Sequence, residues 1–162
     1  MNCLWAPWRM EYILGDKSDP CIFCLNPGIK DSKENLVLYR GKLSMVMMNK
    51  YPYAFSHLLI APNRHINALD DLDISEVSNL SILLQSSIIL LKEAFKPEGF
   101  NIGLNQGKAA GAGIEEHLHF HLVPRWTGDV NFMPLLCETR MISEHLNETY
   151  EKLSVLFRNL EI

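Results

Sequence analysis

Residues 117–123 read HLHFHLV, which sets His117, His119 and His121, half of the chain's six histidines, at alternate positions. Successive side chains of an extended chain point to opposite faces. The three imidazoles therefore share one side, and Leu118, Phe120 and Leu122 share the other. Same-face neighbours stand roughly 7 Å apart, close enough to act on one small ligand or on adjoining ones. Two chemistries suit such a row. A same-face pair of imidazoles can chelate a metal. A neutral imidazole can also attack phosphorus as a nucleophile while its second ring nitrogen is held by a hydrogen bond. The remaining reading is coincidence in a half-buried strand, where histidine is tolerated without being favoured, and strict alternation of three weighs against it.

The stretch immediately before the row, GLNQGKAAGAGI (103–114), offers many backbone N–H groups with little side-chain obstruction. Such a composition suits an oxyanion or a phosphate chain, with Lys108 as a cation and Asn105 and Gln106 as amide donors. Taken alone, it reads more readily as a flexible hairpin loop, and the histidine row beside it turns the balance towards the phosphate reading. A second cluster is CIFC (21–24), whose Cys21 and Cys24 have zinc-compatible spacing but need two further ligands. Redox, disulfide and buried-thiol readings of the pair stay open at this point. Cys3 and Cys137 match no role.

These groups need elements to carry them. LVLYR (36–40) and LSMVMMN (43–49), separated by Gly41 and Lys42, have the pattern of a tight hairpin, and HLLIAP (57–62) is a third strand stopped by Pro62. Asp73 and Glu76 form a capping box ahead of Val77, Leu80, Leu84, Ile88, Leu91 and Phe95, which recur at helical spacing until Pro97 and Gly99. FNIGLNQ (100–106) and HLHFHLVPR (117–125) read as strands, the second half buried and half displayed, and residues 142–160 as a weakly amphipathic helix. The expected architecture is α+β, an antiparallel sheet of about five strands with one long helix between the third and fourth and a C-terminal helix.

With 162 residues and 48% hydrophobic content, the chain suits one domain over residues 1–162. An N-terminal arm (1–35) carries the CxxC pair, the core spans 36–126, and a C-terminal extension covers 127–162. A net charge of −4 with scattered basic residues argues against a nucleic-acid partner. Pro7, Arg9 and Glu11 interrupt the apolar N-terminal stretch, unlike a secretory segment or a membrane span, so the expected location is cytoplasmic with no membrane partner. Trp5, Trp8 and Trp126 are expected to pack on the core in preference to stacking on a base, and His145 to be a solvated surface residue.

HLHFHLV, preceded by GLNQGKAAGAGI and by SHLLIAPNRH upstream, resembles the histidine triad (HIT) superfamily of nucleotidyl hydrolases and transferases. LWAPWRMEYI, CIFC and VPRWTGDVNFMP are similar to bacterial HIT proteins related to diadenosine tetraphosphate phosphorylases, akin also to the fragile histidine triad branch. The resemblance implies phosphorylase or hydrolase cleavage of dinucleoside polyphosphates in two displacements, with His119 as a nucleophile that forms a nucleotidyl-histidine intermediate. It implies that the His117 carbonyl fixes the His119 tautomer, that His121 bonds the α-phosphate or departing oxygen, and that His57 lies at the same site. It places Asn49 on the ribose hydroxyls, Asn105 and Gln106 near the leaving group, and Gly111 and Gly113 in a phosphate-approaching loop. It also implies a closed structural zinc site of Cys21, Cys24, His65 and His117, no organic cofactor, and a homodimer formed through the long helix and a strand edge. The alternative is a nucleotide-binding sensor or adaptor on the same scaffold with little turnover. A third reading makes all three histidines ligands of a catalytic metal.

Overall fold

A computed structural model describes residues 21–24, 32–129 and 144–162. Within these, β1 (Val37–Arg40), β2 (Ser44–Met48), β3 (Leu58–Pro62), β4 (Gly99–Leu104) and β5 (Phe120–Arg125) form one sheet in the order β1-β2-β3-β5-β4. Every neighbouring pair is antiparallel. The Gly41 N–H closes the β1–β2 turn on the Ser44 carbonyl at 2.9 Å, where the glycine spacing predicts a hairpin.

The long helix α1 (Ile74–Phe95) starts as its sequence requires: the Asp73 side chain accepts from the Glu76 N–H and the Glu76 side chain accepts from the Asp73 N–H. Glu76 also receives the Arg64 guanidinium through two bonds of 3.0 and 2.7 Å, tying the loop after β3 to the helix start. The buried face differs from the expected one. Leu80, Leu83, Ser87 and Leu91 are buried, whereas Val77 is exposed. Ser87 is accommodated because its hydroxyl donates to the Leu83 carbonyl at 2.7 Å, leaving no unpaired group in the core. Each fully buried leucine contributes about 1.5–3 kcal/mol relative to exposure.

The second helix, α2 (Leu146–Phe157), presents Tyr150, Leu153 and Phe157 to the same core as α1 and the sheet residues Val46, Met48, Leu58, Ile60 and Leu122. The Tyr150 hydroxyl donates to the Val37 carbonyl at 3.0 Å. Exposed His145 is the N-cap of α2, its Nδ1 accepting from the Asn147 N–H. Trp126 packs as expected, with its indole N–H on the Phe95 carbonyl and Phe55 between the two rings. Trp5, Trp8, Cys3, Cys137 and Ile142 lie outside the described residues.

Both helices thus cover one face of the sheet. Alternation sends Met45, Met47, Leu59 and Ala61 to the opposite face, where they bury Phe23. The histidine row lies on that second face. Its ladder is shorter than the sequence pattern predicts: pairing begins at Phe120, and His117 and His119 precede it outside the ladder, with a bend at His117 and the Leu118 N–H held by the Ile66 carbonyl at 2.6 Å. The row is also less displayed than expected, since His117 is 1% and His119 4% exposed. Phe23, carried from the CxxC turn, covers both rings.

Candidate active site and metal centre

The row is a continuous series of ring contacts. His65 meets His117 edge-on at 5.2 Å, Phe23 lies 4.9 Å from His117 and 5.1 Å from His119, and His119 meets His121 edge-on at 4.9 Å. His57, just before β3, and Tyr53 close the far end. Neither aromatic was singled out from the sequence. Phe23 sits inside the CxxC turn and Tyr53 four positions before His57, and those placements are the only sequence signals they carry.

Hydrogen bonds decide which nitrogen of each ring carries a proton. The His117 Nε2–H donates to the Pro62 carbonyl at 2.8 Å, leaving Nδ1 as a lone pair. The His119 Nδ1–H donates to the His117 carbonyl at 2.8 Å, so its free lone pair is on Nε2. His57 Nδ1 accepts the Tyr53 backbone N–H at 3.1 Å, with the Asn49 amide nitrogen at 3.2 Å. A neutral His57 must then carry its proton on Nε2, which donates to His121 Nδ1 at 3.0 Å. His121 is left with a hydrogen on Nε2. Nucleophilic lone pair and adjacent donor therefore sit on neighbouring rings.

Electrostatics keep these rings neutral. Burial, reinforced by the charges His121 and His119 would bear, pushes His57 down to about 3. Burial and His119 push His121 down to about 4. Burial also lowers His119, against the opposing bond to the His117 carbonyl. A neutral imidazole at neutral pH is the form that can attack an electrophile without prior deprotonation.

Asn49 joins this group through His57, and its own carbonyl oxygen accepts from the Tyr51 N–H at 2.9 Å, which shapes the loop. The glycine segment follows β4. Gly107 and Gly111 have φ of +79° and +80°, a region that disfavours any side chain, and they bracket a short turn at Lys108–Ala110. Gln106 turns its carbonyl oxygen to the Leu69 N–H at 3.0 Å, anchoring the loop to the segment before α1. Asn105 and Gly113 lie on the same connection. Glu115 and Glu116 are both exposed.

At the other end, one ligand atom each from Cys21, Cys24, His65 and His117 lies within 4.8 Å of the others, a cluster that can hold a metal ion. Cys24 Sγ is 3.0 Å from His65 Nδ1 and 3.4 Å from His117 Nδ1, and Cys21 Sγ is 3.4 Å from His117 Nδ1. Tetrahedral zinc with two sulfur and two nitrogen ligands has a sulfur–nitrogen edge of about 3.6 Å. The two sulfur edges to His117 lie about 0.2 Å below that value and the Cys24–His65 edge about 0.6 Å below it, and the His117 nitrogen facing the sulfurs is the unprotonated one. Burial and then the Cys21 thiol push the Cys24 thiol up to about 11, an effect that a coordinated dication reverses.

Residues 30–128 match the family model described as HIT domain. The chain is 39% identical over 155 residues to a Mycobacterium tuberculosis protein named AP-4-A phosphorylase, covering 90% of this chain and 79% of that one. A solved histidine triad nucleotide-binding protein from Sulfolobus tokodaii, described as hypothetical, superposes with a TM-score of 0.65 at 25% identity, over 85% of this chain and 89% of that one. A zinc-bound histidine triad family protein from Mycobacterium smegmatis shares the fold, with a TM-score of 0.62 at 24% identity over 76% and 84% of the two chains.

Proposed function

The chain belongs to the HIT domain family, and we propose that it cleaves dinucleoside polyphosphates such as diadenosine tetraphosphate through a covalent nucleotidyl-histidine intermediate on His119. The observation that carries this reading is the His119 ring itself: its Nδ1–H is fixed on the His117 carbonyl, leaving the Nε2 lone pair as nucleophile beside His121. The relative named AP-4-A phosphorylase supplies the substrate class.

In the first step the His119 Nε2–phosphorus bond forms as the bond from the α-phosphorus to its bridging oxygen breaks, and that oxygen leaves with the electron pair on the departing nucleotide. The His121 Nε2–H stabilises the departing or a non-bridging oxygen. In the second step phosphate or water attacks the same phosphorus and His119 leaves, giving a nucleoside diphosphate or monophosphate respectively. Asn49 serves the ribose hydroxyls, and the loop of Asn105, Gln106, Gly111 and Gly113 the leaving group and phosphate.

Zinc fits the cluster of Cys21, Cys24, His65 and His117 as a closed structural ion that staples the CxxC turn to the strand presenting His119. When bound it supplies folding energy and no open position for water. A homodimer is supported by Ile74, Ile82 and Ile89, which recur at seven- or eight-residue spacing on α1 and are 87%, 48% and 59% exposed, and by the outer edge of β4, which no strand among the described residues pairs. The expected setting is cytoplasmic.

Mass spectrometry after rapid quenching tests the chemistry. Wild type with diadenosine tetraphosphate should gain one adenylyl mass, and His119→Ala should not, with turnover falling by roughly 10⁴-fold or more. Release of ADP only when phosphate is present identifies phosphorolysis, and AMP regardless of phosphate identifies hydrolysis. Unchanged turnover in His119→Ala would overturn the reading, and tight AMP binding with no adduct in wild type would favour a binding scaffold.

A further inference from the structure

The β2–β3 loop carries one large side chain that core packing does not explain. Tyr53 is 43% exposed, yet its ring stacks on His121 at 5.6 Å and 23° between planes, and lies 4.8 Å from the His57 ring at 40°. Its backbone N–H is the donor that settles the His57 tautomer. The loop is held at a cost: Ser56 has φ of +57°, uncommon for a residue with a side chain, and its buried hydroxyl has no partner. Such local costs persist where the surroundings over-determine a backbone, and they gather at functional sites.

His57 needs that restraint. It lines a cavity of about 450 Å³ between this loop and the start of α2, bounded also by Lys50, Phe55, Ser56, His145 and Thr149. The imidazole itself is 1% exposed, and the rings that face it are Tyr53 and His121. His121 is placed similarly, with His119 edge-on to it and Tyr53 stacked on it.

We propose that Tyr53 is a positioning residue for the His57–His121 pair: its ring sets the plane of His121 and its N–H sets the tautomer of His57, so that the His121 Nε2–H points at the oxygen that departs from phosphorus. The role rests on the reaction given above. Tyr53 forms no bond to substrate. As the phosphorus–oxygen bond breaks, negative charge grows on the leaving oxygen, and a hydrogen bond aimed there matters more as that oxygen becomes more basic.

That dependence separates positioning from general support of the fold. Aryl esters of adenosine 5′-monophosphate with progressively more basic phenols are the probes, and the rate of His119 adduct formation is the readout. In wild type and Tyr53→Phe the decline of rate with phenol basicity should be shallow and alike. In Tyr53→Leu it should steepen, with a loss of about threefold for the least basic phenol and about thirtyfold for the most basic. The ¹⁵N resonances of the His121 ring give a second measure, showing Nε2 protonated and Nδ1 unprotonated in wild type, Tyr53→Phe and Tyr53→Leu alike, because residue 53 keeps its backbone N–H in all three and the leucine loses only the ring that sets the His121 plane. An equal loss across all esters, or no loss, overturns the proposal even where the adduct forms. Should the leucine variant fail to fold, a Tyr53→Phe slope steeper than wild type would overturn it as well. No adduct in wild type with any ester would instead sink the reaction on which it rests.

Discussion

The two ends of the histidine row use the same residue type in opposite ways. At the end formed by Cys21, Cys24, His65 and His117, electron pairs converge: the Nδ1 atoms of both histidines and the two sulfurs face one another. Without a metal the thiol protons bridge these atoms, and a cation bound there would replace them. At the end formed by Asn49, Tyr53, His57 and His121, donors and acceptors alternate, and the chain closes without an ion. The first arrangement is a socket for positive charge; the second is complete in itself and offers one N–H outward. Burial pushes His57 and His121 towards neutrality, and around Cys24 it penalises a charged sulfur unless a metal compensates.

This contrast can be broken by treating the two ends differently. On the proposal that the socket holds zinc, removing that ion has the largest expected effect on stability. A ligand held at a thousand times its Kd contributes about 4 kcal/mol, so a strong chelator, or Cys24→Ser, should lower the unfolding midpoint measured by scanning calorimetry. The same treatment of His57→Ala should lower it by a similar amount, because the metal end is intact in that variant. If chelation leaves the midpoint unchanged, the socket holds no structural ion.

His57→Ala itself acts on the other end. Without its Nε2–H, His121 has no fixed tautomer, and kcat/KM should fall roughly 10²-fold, a magnitude typical of losing one positioned proton-bearing group. Metal content, read by atomic absorption, should remain that of wild type. A loss of metal in this variant would mean that the two ends do not behave as separate devices.

The smallest effect is the most diagnostic of burial. Unfolded histidines titrate near pH 6.5, at roughly their ordinary value, whereas folded His57 and His121 titrate at about 3 and about 4. Between those limits the unfolded chain binds more protons than the folded one, so stability rises with pH. The contribution is fully present above pH 6.5 and is lost as pH falls towards 4, with a slope approaching about 1.4 kcal/mol per pH unit for one such histidine. Denaturant unfolding at pH 7, 6 and 5 should show this decline, and His57→Gln should make it shallower. A slope unchanged by that substitution would contradict the burial of His57.

Much of the fold was legible in the residues. Helix α1 starts at its capping box because Asp73 and Glu76 are adjacent along the chain and need no distant partner. The β1–β2 turn follows for the same reason. The face of α1 was read one step off, with Val77 expected inward and found exposed, because a helix apolar on several sides does not declare which side meets a sheet. The ladder of β5 was read too long, since the bonds of residues 117–119 go to other partners, among them the Ile66 carbonyl.

For the site, the sequence by itself pointed to three imidazoles on one side of the chain, because alternation is a property of the backbone and depends on nothing remote. The ring contacts run through all three although the ladder starts only at Phe120. Resemblance to a family pointed to the four residues that the fold gathers into a metal-competent cluster. Only the tertiary structure decided which nitrogen of each ring is free. That choice belongs to the Pro62 carbonyl, the His117 carbonyl and the Tyr53 N–H. The enclosing rings Phe23 and Tyr53 were decided in the same way. A tautomer is set by the single atom opposite each nitrogen, and for His117 and His121 that atom arrives from more than fifty residues away.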